Sequence, residues 1–263
     1  MLFYRELAPP PDLSHLVLSF WEFTASSGNA GPMDHEIFPD GCISLFHYRN
    51  VRTGAAGLAT NMLHARSVIY PVFDGDIFWG LRLSPAASAR ILGADPAGWQ
   101  RYLWTAEQSM FGIFDASLFS EMMACRTLED AAEVFSVRLR TLRIRREDLD
   151  EKVLEAVSII DQTTGETRIA ALAEGLGLSV RQFERRFKKS AGLTPKQYAR
   201  ARRFRAAAAA LAEGDRVSWA DRAAEMGFAD QAHLTHEFSD MTGRSPTSFA
   251  QKVKKIDHGP LVK

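Results

Sequence analysis

The chain has 263 residues, 46% hydrophobic and 24% charged, with a formal net charge of zero and two distant cysteines, Cys42 and Cys125. It holds no run of eighteen apolar residues to cross a membrane, and two cysteines without metal-like spacing exclude a disulfide scaffold. The opening MLFYRELAPPPDLSH lacks a basic stretch followed by an apolar one, so no signal peptide is expected and the cytoplasm is the expected location.

In chain order, LVLSFWEFTA, CISLFHY, SVIYPVF and DIFWGLRL are short apolar or alternating runs separated by turn material such as SSGNAGP and PDG. They predict a barrel or sandwich of short strands. After them the pattern turns helical at AASARILGA, with Ser84 as the expected cap and Pro85 in the first turn. Helical spacing returns in SLFSEMMA and in TLEDAAEVFSVRLRTLRI, where Leu128, Ala131, Ala132, Phe135 and Leu139 form one stripe. A stripe of this kind is expected to face a core, with a homodimer surface as the alternative. The charged RIRREDLD has no apolar pattern and marks a boundary. The fold expected is an α+β domain over residues 1–145 followed by an all-α domain over residues 146–263.

Charge is distributed unevenly. Residues 1–140 carry 10 Lys/Arg and 15 Asp/Glu, whereas Ser179–Arg205 carries ten basic residues against Glu184 alone. This asymmetry points to an acidic module joined to one that binds a polyanion.

The basic stretch opens an internal repeat. Phe183, Phe187, Gly192, Thr194-Pro195 and Tyr198 recur 51 residues later as Leu234, Phe238, Gly243, Ser245-Pro246 and Phe249. Ala173 and Gly177 recur 50 residues later as Ala223 and Gly227, so one extra residue sits in the turn of the second copy. In each copy a short helix meets a Gly-containing turn and then a second helix. Ser179 with Gln182 predicts a capping box, Asp230 caps the matching helix, and Thr194-Pro195 and Ser245-Pro246 read as N-cap plus first-turn proline. Phe183 and Phe187 share one face; Arg181, Glu184, Arg185 and Lys188 share the opposite one. This is the helix-turn-helix pattern, whose second helix enters a DNA major groove. The alanine-rich KQYARARRFRAAAAALAEG between the copies predicts one continuous helix as a spacer.

The segments LAEGLGLSVRQFERRFKKSAGLTPKQYARARR and AAEMGFADQAHLTHEFSDMTGRSP resemble the AraC/XylS family of transcriptional regulators, over about residues 148–257. The resemblance implies a bipartite DNA-binding domain of about seven helices, with helix-turn-helix units at about 168–189 and 218–240. It places base contacts on Arg181, Glu184 and Arg185 in the first unit and on Gln231, Ala232, Thr235 and His236 in the second. Phosphate contacts are expected from Arg186, Lys188, Lys189 and Lys196, with the Arg200–Arg205 cluster as a further source. Where the family has arginine this chain has His236, so the first unit is expected to supply most of the affinity.

FPDGCISLFHY and GLRLSPAASARILG resemble the front domains of some regulators of this family. A small hydrophobic effector is the expected partner of that domain besides double-stranded DNA, with Trp21, Phe38, Phe46 and Trp79 as candidate contacts. His35, Glu36, His47 and His64 invite a metal reading, but no His-x-His and no following carboxylate supports one, so no metal and no cofactor are expected. No serine elbow, phosphate loop or zinc-protease helix occurs, and an enzyme is not expected. The rival readings are a ligand-independent dimeric DNA binder and a metal-dependent enzyme domain fused to a regulator.

Overall fold

The computed structural model describes residues 2–26, 28, 31–61, 63–98, 103–104, 115–213, 223–224, 227–253 and 256–258. The four anticipated strands form as β2 (Val17–Ala25), β4 (Ser44–Asn50), β6 (Val68–Val72) and β7 (Asp76–Leu83), joined by β1 (Leu2–Leu7), β3 (Met33–Ile37), β5 (Ala56–Asn61), β8 (Leu103–Trp104) and β9 (Ile256–His258). Seven strands make one sheet in the order β8-β5-β4-β7-β2-β1-β9, and β3 and β6 make a second, two-stranded sheet. The arrangement is an open sandwich, not a closed barrel: pairing ends at β8 and β9 instead of returning on itself. All pairs are antiparallel except β1 with β9, which brings the two ends of the chain together.

Alternation along the strands gives the large sheet two different faces. Phe20, Leu45, Trp79, Leu81 and Leu83 are buried on the face covered by α2 (Ala116–Ala124) and α3 (Leu128–Thr141), following the short α1 (Ser88–Leu92). The predicted stripe on α3 is consumed here: Leu128, Ala131, Phe135 and Leu139 are buried, with Phe135 stacked 6.5 Å from Phe20. The helix α1 begins later than expected, because the Ser84 carbonyl first accepts from Ala87 and Ser88 in a turn. The opposite face carries Tyr4, Glu6, Ser19, Trp21, Phe46 and Arg82.

After residue 150 the described chain is helical except at its end: α4 (Glu151–Gln162), α5 (Ile169–Gly175), α6 (Val180–Ala191), α7 (Pro195–Glu213), α8 (Gln231–Thr242) and α9 (Pro246–Val253). Of the expected first helix of the second unit, Ala223 and Ala224 are helical and the remainder lies outside the described residues. One apolar core runs continuously from Leu13 and Trp79 through Phe135 and Val157 to Phe183, Phe187 and Tyr198. The second unit has its own core of Phe204, Leu211, Phe228, Leu234, Phe238 and Phe249.

Candidate nucleic-acid interface

Local chemistry builds both candidate reading helices. At α6 the Ser179 hydroxyl accepts from the Gln182 N–H at 3.3 Å, and the Gln182 side chain accepts from the Ser179 N–H at 3.0 Å. Such a cap is worth about 1 kcal/mol. At α8 the Asp230 carboxylate accepts from the His233 N–H at 2.7 Å. The turns before them use Gly177 and Gly227, both at φ +68°, a left-handed conformation that costs glycine little. Phe183 and Phe187 on α6, and Leu234 and Phe238 on α8, are fully buried, so each helix can turn only one face outward.

That outer face carries the expected residues. Arg181, Glu184 and Arg185, with Lys188, line an open groove of about 650 Å³ together with Ser179, Gln182 and Thr194. Lys189 and Lys196 are exposed. Gln231, Ala232 and His236 are exposed on α8; Thr235 is half-buried and its hydroxyl donates to the Gln231 carbonyl at 2.8 Å, so it is already satisfied within the helix.

The structure uses several of the other basic residues internally. Arg186 forms a two-pronged pair with Asp150, at 2.8 and 3.0 Å. The same Asp150 caps α4, so Arg186 ties the first reading helix to the first helix of the domain. The Arg200–Arg205 cluster, expected to face phosphates, is distributed among carboxylates and carbonyls instead. Arg200 bonds Glu237 and Asp240, each at 2.5 Å; Arg202 pairs with Asp161 at 2.8 Å; Arg203 donates to the Gly165 carbonyl at 2.6 Å; Arg205 reaches Glu6. These guanidiniums lie on a helix packed between other elements, where an unpaired charge would be costly.

The front domain is docked on both units. Gly192, at the end of α6, lies so close to Pro96 and Ala97 that an added Cβ would come within 2.8 Å of their backbone. Phe38, an effector candidate, packs edge-on against Phe249 at 4.9 Å and at a tilt against Phe204 at 6.0 Å, on the margin of the second unit's core. Trp79, another candidate, is buried; its Nε1 donates to Glu22 at 2.9 Å and the Arg49 guanidinium lies 4.5 Å from its ring. Only Trp21 and Phe46 come together, 5.7 Å apart and half-buried on the sheet face that also carries Tyr4 and Phe78. The Trp21 Nε1 is buried without a hydrogen-bond partner among the described residues.

The histidines do not converge. His35 stacks on Phe23 at 3.9 Å, His64 bonds Asn61, and His47 is buried on the other sheet face beside Phe119. Among the described residues no three His, Cys, Asp or Glu side chains gather as a metal site, and no helix is long and apolar enough to cross a membrane.

A capped helix-turn-helix unit and a second capped helix of the same pattern, joined by one spacer helix and turning basic and polar faces outward, define a DNA-binding protein of the transcription-regulator class. Residues 172–252 match the family model described as a helix-turn-helix domain, and this part of the chain is an AraC-type DNA-binding domain. Among solved structures, the chain is similar to a transcriptional regulator with an AraC-type DNA-binding domain from Chromobacterium violaceum, at 25% identity over 39% of this chain and 91% of that one, TM-score 0.35. It is also similar to ToxT from Vibrio cholerae, at 14% identity over 95% and 97% of the two chains, TM-score 0.44. A third similar structure is unsaturated fatty acid bound wild-type ToxT from the same organism, at 10% identity over 98% and 97%, TM-score 0.44. No curated protein matches the chain by sequence.

Proposed function

We propose that this regulator reads two successive major-groove segments on one side of a duplex, with α6 in one and α8 in the next. The observation that carries the reading is the pairing of two outward helix faces, at matching repeat positions, by the single helix α7. Its 19 residues span about 28 Å at 1.5 Å per residue, close to the ~34 Å of one DNA turn. Arg181, Glu184 and Arg185 contact bases from the first unit, and Gln231, Ala232 and His236 from the second, with Thr235 offering its methyl group. Lys188, Lys189 and Lys196 grip phosphates, while Arg186 holds α6 in place through Asp150. The front domain restrains the pair. A small apolar effector would sit on Trp21 and Phe46, where the unsatisfied indole N–H favours a ligand bearing a hydrogen-bond acceptor.

The test is selection of bound sequences from a random duplex pool by the full chain, at two salt concentrations. A site with two sub-elements about 10 bp apart, weakened by salt, is expected. Enrichment of a single sub-element, or of none, refutes the bipartite reading.

A further inference from the structure

The two copies of the repeat reverse charge at two positions of the reading helix, Arg186 against Glu237 and Lys189 against Asp240. Lys189 of α6 is exposed, and 51 residues later its counterpart on α8 is Asp240. A carboxylate there repels a phosphate at the place where Lys189 attracts one. Arg200 of α7 already bonds Asp240 at 2.5 Å, and the fold brings a second cation to this position from the other domain. Arg66, in the connection between β5 and β6, sets its Nη2 2.8 Å from Asp240 Oδ1. The following residue locks the approach: the Ser67 N–H donates to the Met241 carbonyl at 2.7 Å, and the Ser67 hydroxyl donates to Glu36 at 2.6 Å. Glu36 in turn pairs with Arg244, just beyond α8. The connection is thus fastened to α8 by backbone and side-chain bonds together.

Exposure decides which of these charges a polyanion meets. The Arg66 side chain is 74% exposed and Asp240 30%; Glu237 is 18% and Glu36 2% exposed. The carboxylates lie under their guanidinium partners, and Arg66 is the member that reaches into solvent. Five N–H donors on a guanidinium leave several available after one is used on Asp240.

We propose that Arg66 is a DNA-phosphate contact which the front domain supplies to the second unit, at the place where Lys189 serves the first. This rests on the reading of α6 and α8 as DNA-reading helices. The second unit is then complete only while the front domain is docked on it, which gives an event in the front domain a direct route to DNA affinity.

The test compares the full-length protein with R66A, R66K and D240N on the duplex selected by the wild type, titrated between 50 and 300 mM salt. Loss of one phosphate contact lowers the slope of log K against log salt by about 0.9 and weakens binding about fivefold to tenfold at 0.1 M, without altering base preference. R66K keeps the slope. D240N binds as tightly as wild type or tighter, because a repelling charge is gone and Arg66 remains. Unchanged slope and affinity in R66A overturn the proposal. So does a D240N variant weakened as much as R66A, which would make Arg66 a positioning residue acting through the ion pair. A wild-type chain without salt-dependent duplex binding would instead overturn the DNA-reading assignment itself.

Discussion

Arg205, on the helix that joins the two reading units, donates a hydrogen bond to the carboxylate of Glu6, on the first strand of the sheet. The same carboxylate accepts from Arg82 of β7 at 2.8 Å, and Arg82 also bonds Ser19 at 2.8 Å and Asp40 at 2.6 Å. Glu6 is 3% exposed. One buried carboxylate therefore joins a guanidinium of the front domain to a guanidinium of the DNA-binding domain.

Burial by itself would raise the Glu6 carboxyl; Arg82 and Arg205 overcome it and hold the group well below its ordinary value of 4.5. A folded-state value that is lowered contributes stability in full above the unfolded value and loses it as pH falls below. Glu6→Gln is expected to cost about 3–5 kcal/mol at pH 7, because it leaves Arg82 buried without its main counter-charge. It should also flatten the fall in stability below pH 4.5. Urea denaturation of both proteins at pH 7 and pH 4 checks this; equal differences at the two pH values would contradict it.

His47 is fully buried, and neither ring nitrogen bonds another group among the described residues. Burial first, and Arg49 second, lower its value from 6.5 to about 4. The unfolded chain therefore takes up the proton before the folded one, and stability falls as pH drops from 6.5 to about 4, by roughly 3 kcal/mol at 1.36 kcal/mol per pH unit. His47→Leu should remove that slope and be relatively more stable at pH 5 than at pH 7. A wild-type stability curve without a decline in this window would show that the imidazole is not excluded from charging.

The unequal chemistry of the two reading helices makes Arg185 and His236 unequal. A guanidinium can bond guanine through two parallel donors, worth about 1–3 kcal/mol, whereas a neutral imidazole offers one donor and one acceptor. Arg185→Ala should cost binding within that range and relax base preference at its position, while His236→Ala costs less. Fluorescence anisotropy on the selected duplex reads both, and equal losses would count against the first unit as the stronger reader.

Phe38 packs on Phe204 and Phe249 of the second unit. Phe38→Ala should cost about 2 kcal/mol, below the ~3–5 of a fully buried phenylalanine because this ring is half-buried. That corresponds to a fall of about 4–8 °C in Tm for a chain of this size. Differential scanning calorimetry measures it. The same variant should lose selection for the second sub-element more than for the first.

Much of this protein is legible residue by residue. Capping by Ser179, Asp230, Thr194 and Ser245, the paired Phe183 and Phe187, and the stripe on α3 are all consequences of spacing within a few residues, where helix and turn chemistry acts. Strands rich in apolar residues, such as β2 and β7, announce themselves for the same reason. The strands β1, β3 and β5 do not: LFYREL places Arg5 and Glu6 in mid-strand, and these residues are tolerated only because Glu22, Arg82 and Arg205 meet them from distant segments.

The reading of charge shows the same division. Ten basic residues between Ser179 and Arg205 point to a polyanion as partner, since a count of charges needs no coordinates. Which of them remain available is a tertiary matter. Arg186, Arg200, Arg202 and Arg205 find carboxylates 36 to 199 residues away along the chain, while Arg181, Arg185, Lys188 and Lys189 stay exposed on α6. Coulomb energy depends on distance in space, so the sequence by itself determined where the basic residues and the two capped helices fall, and only the fold decided which cations stay exposed and which hold the two domains together.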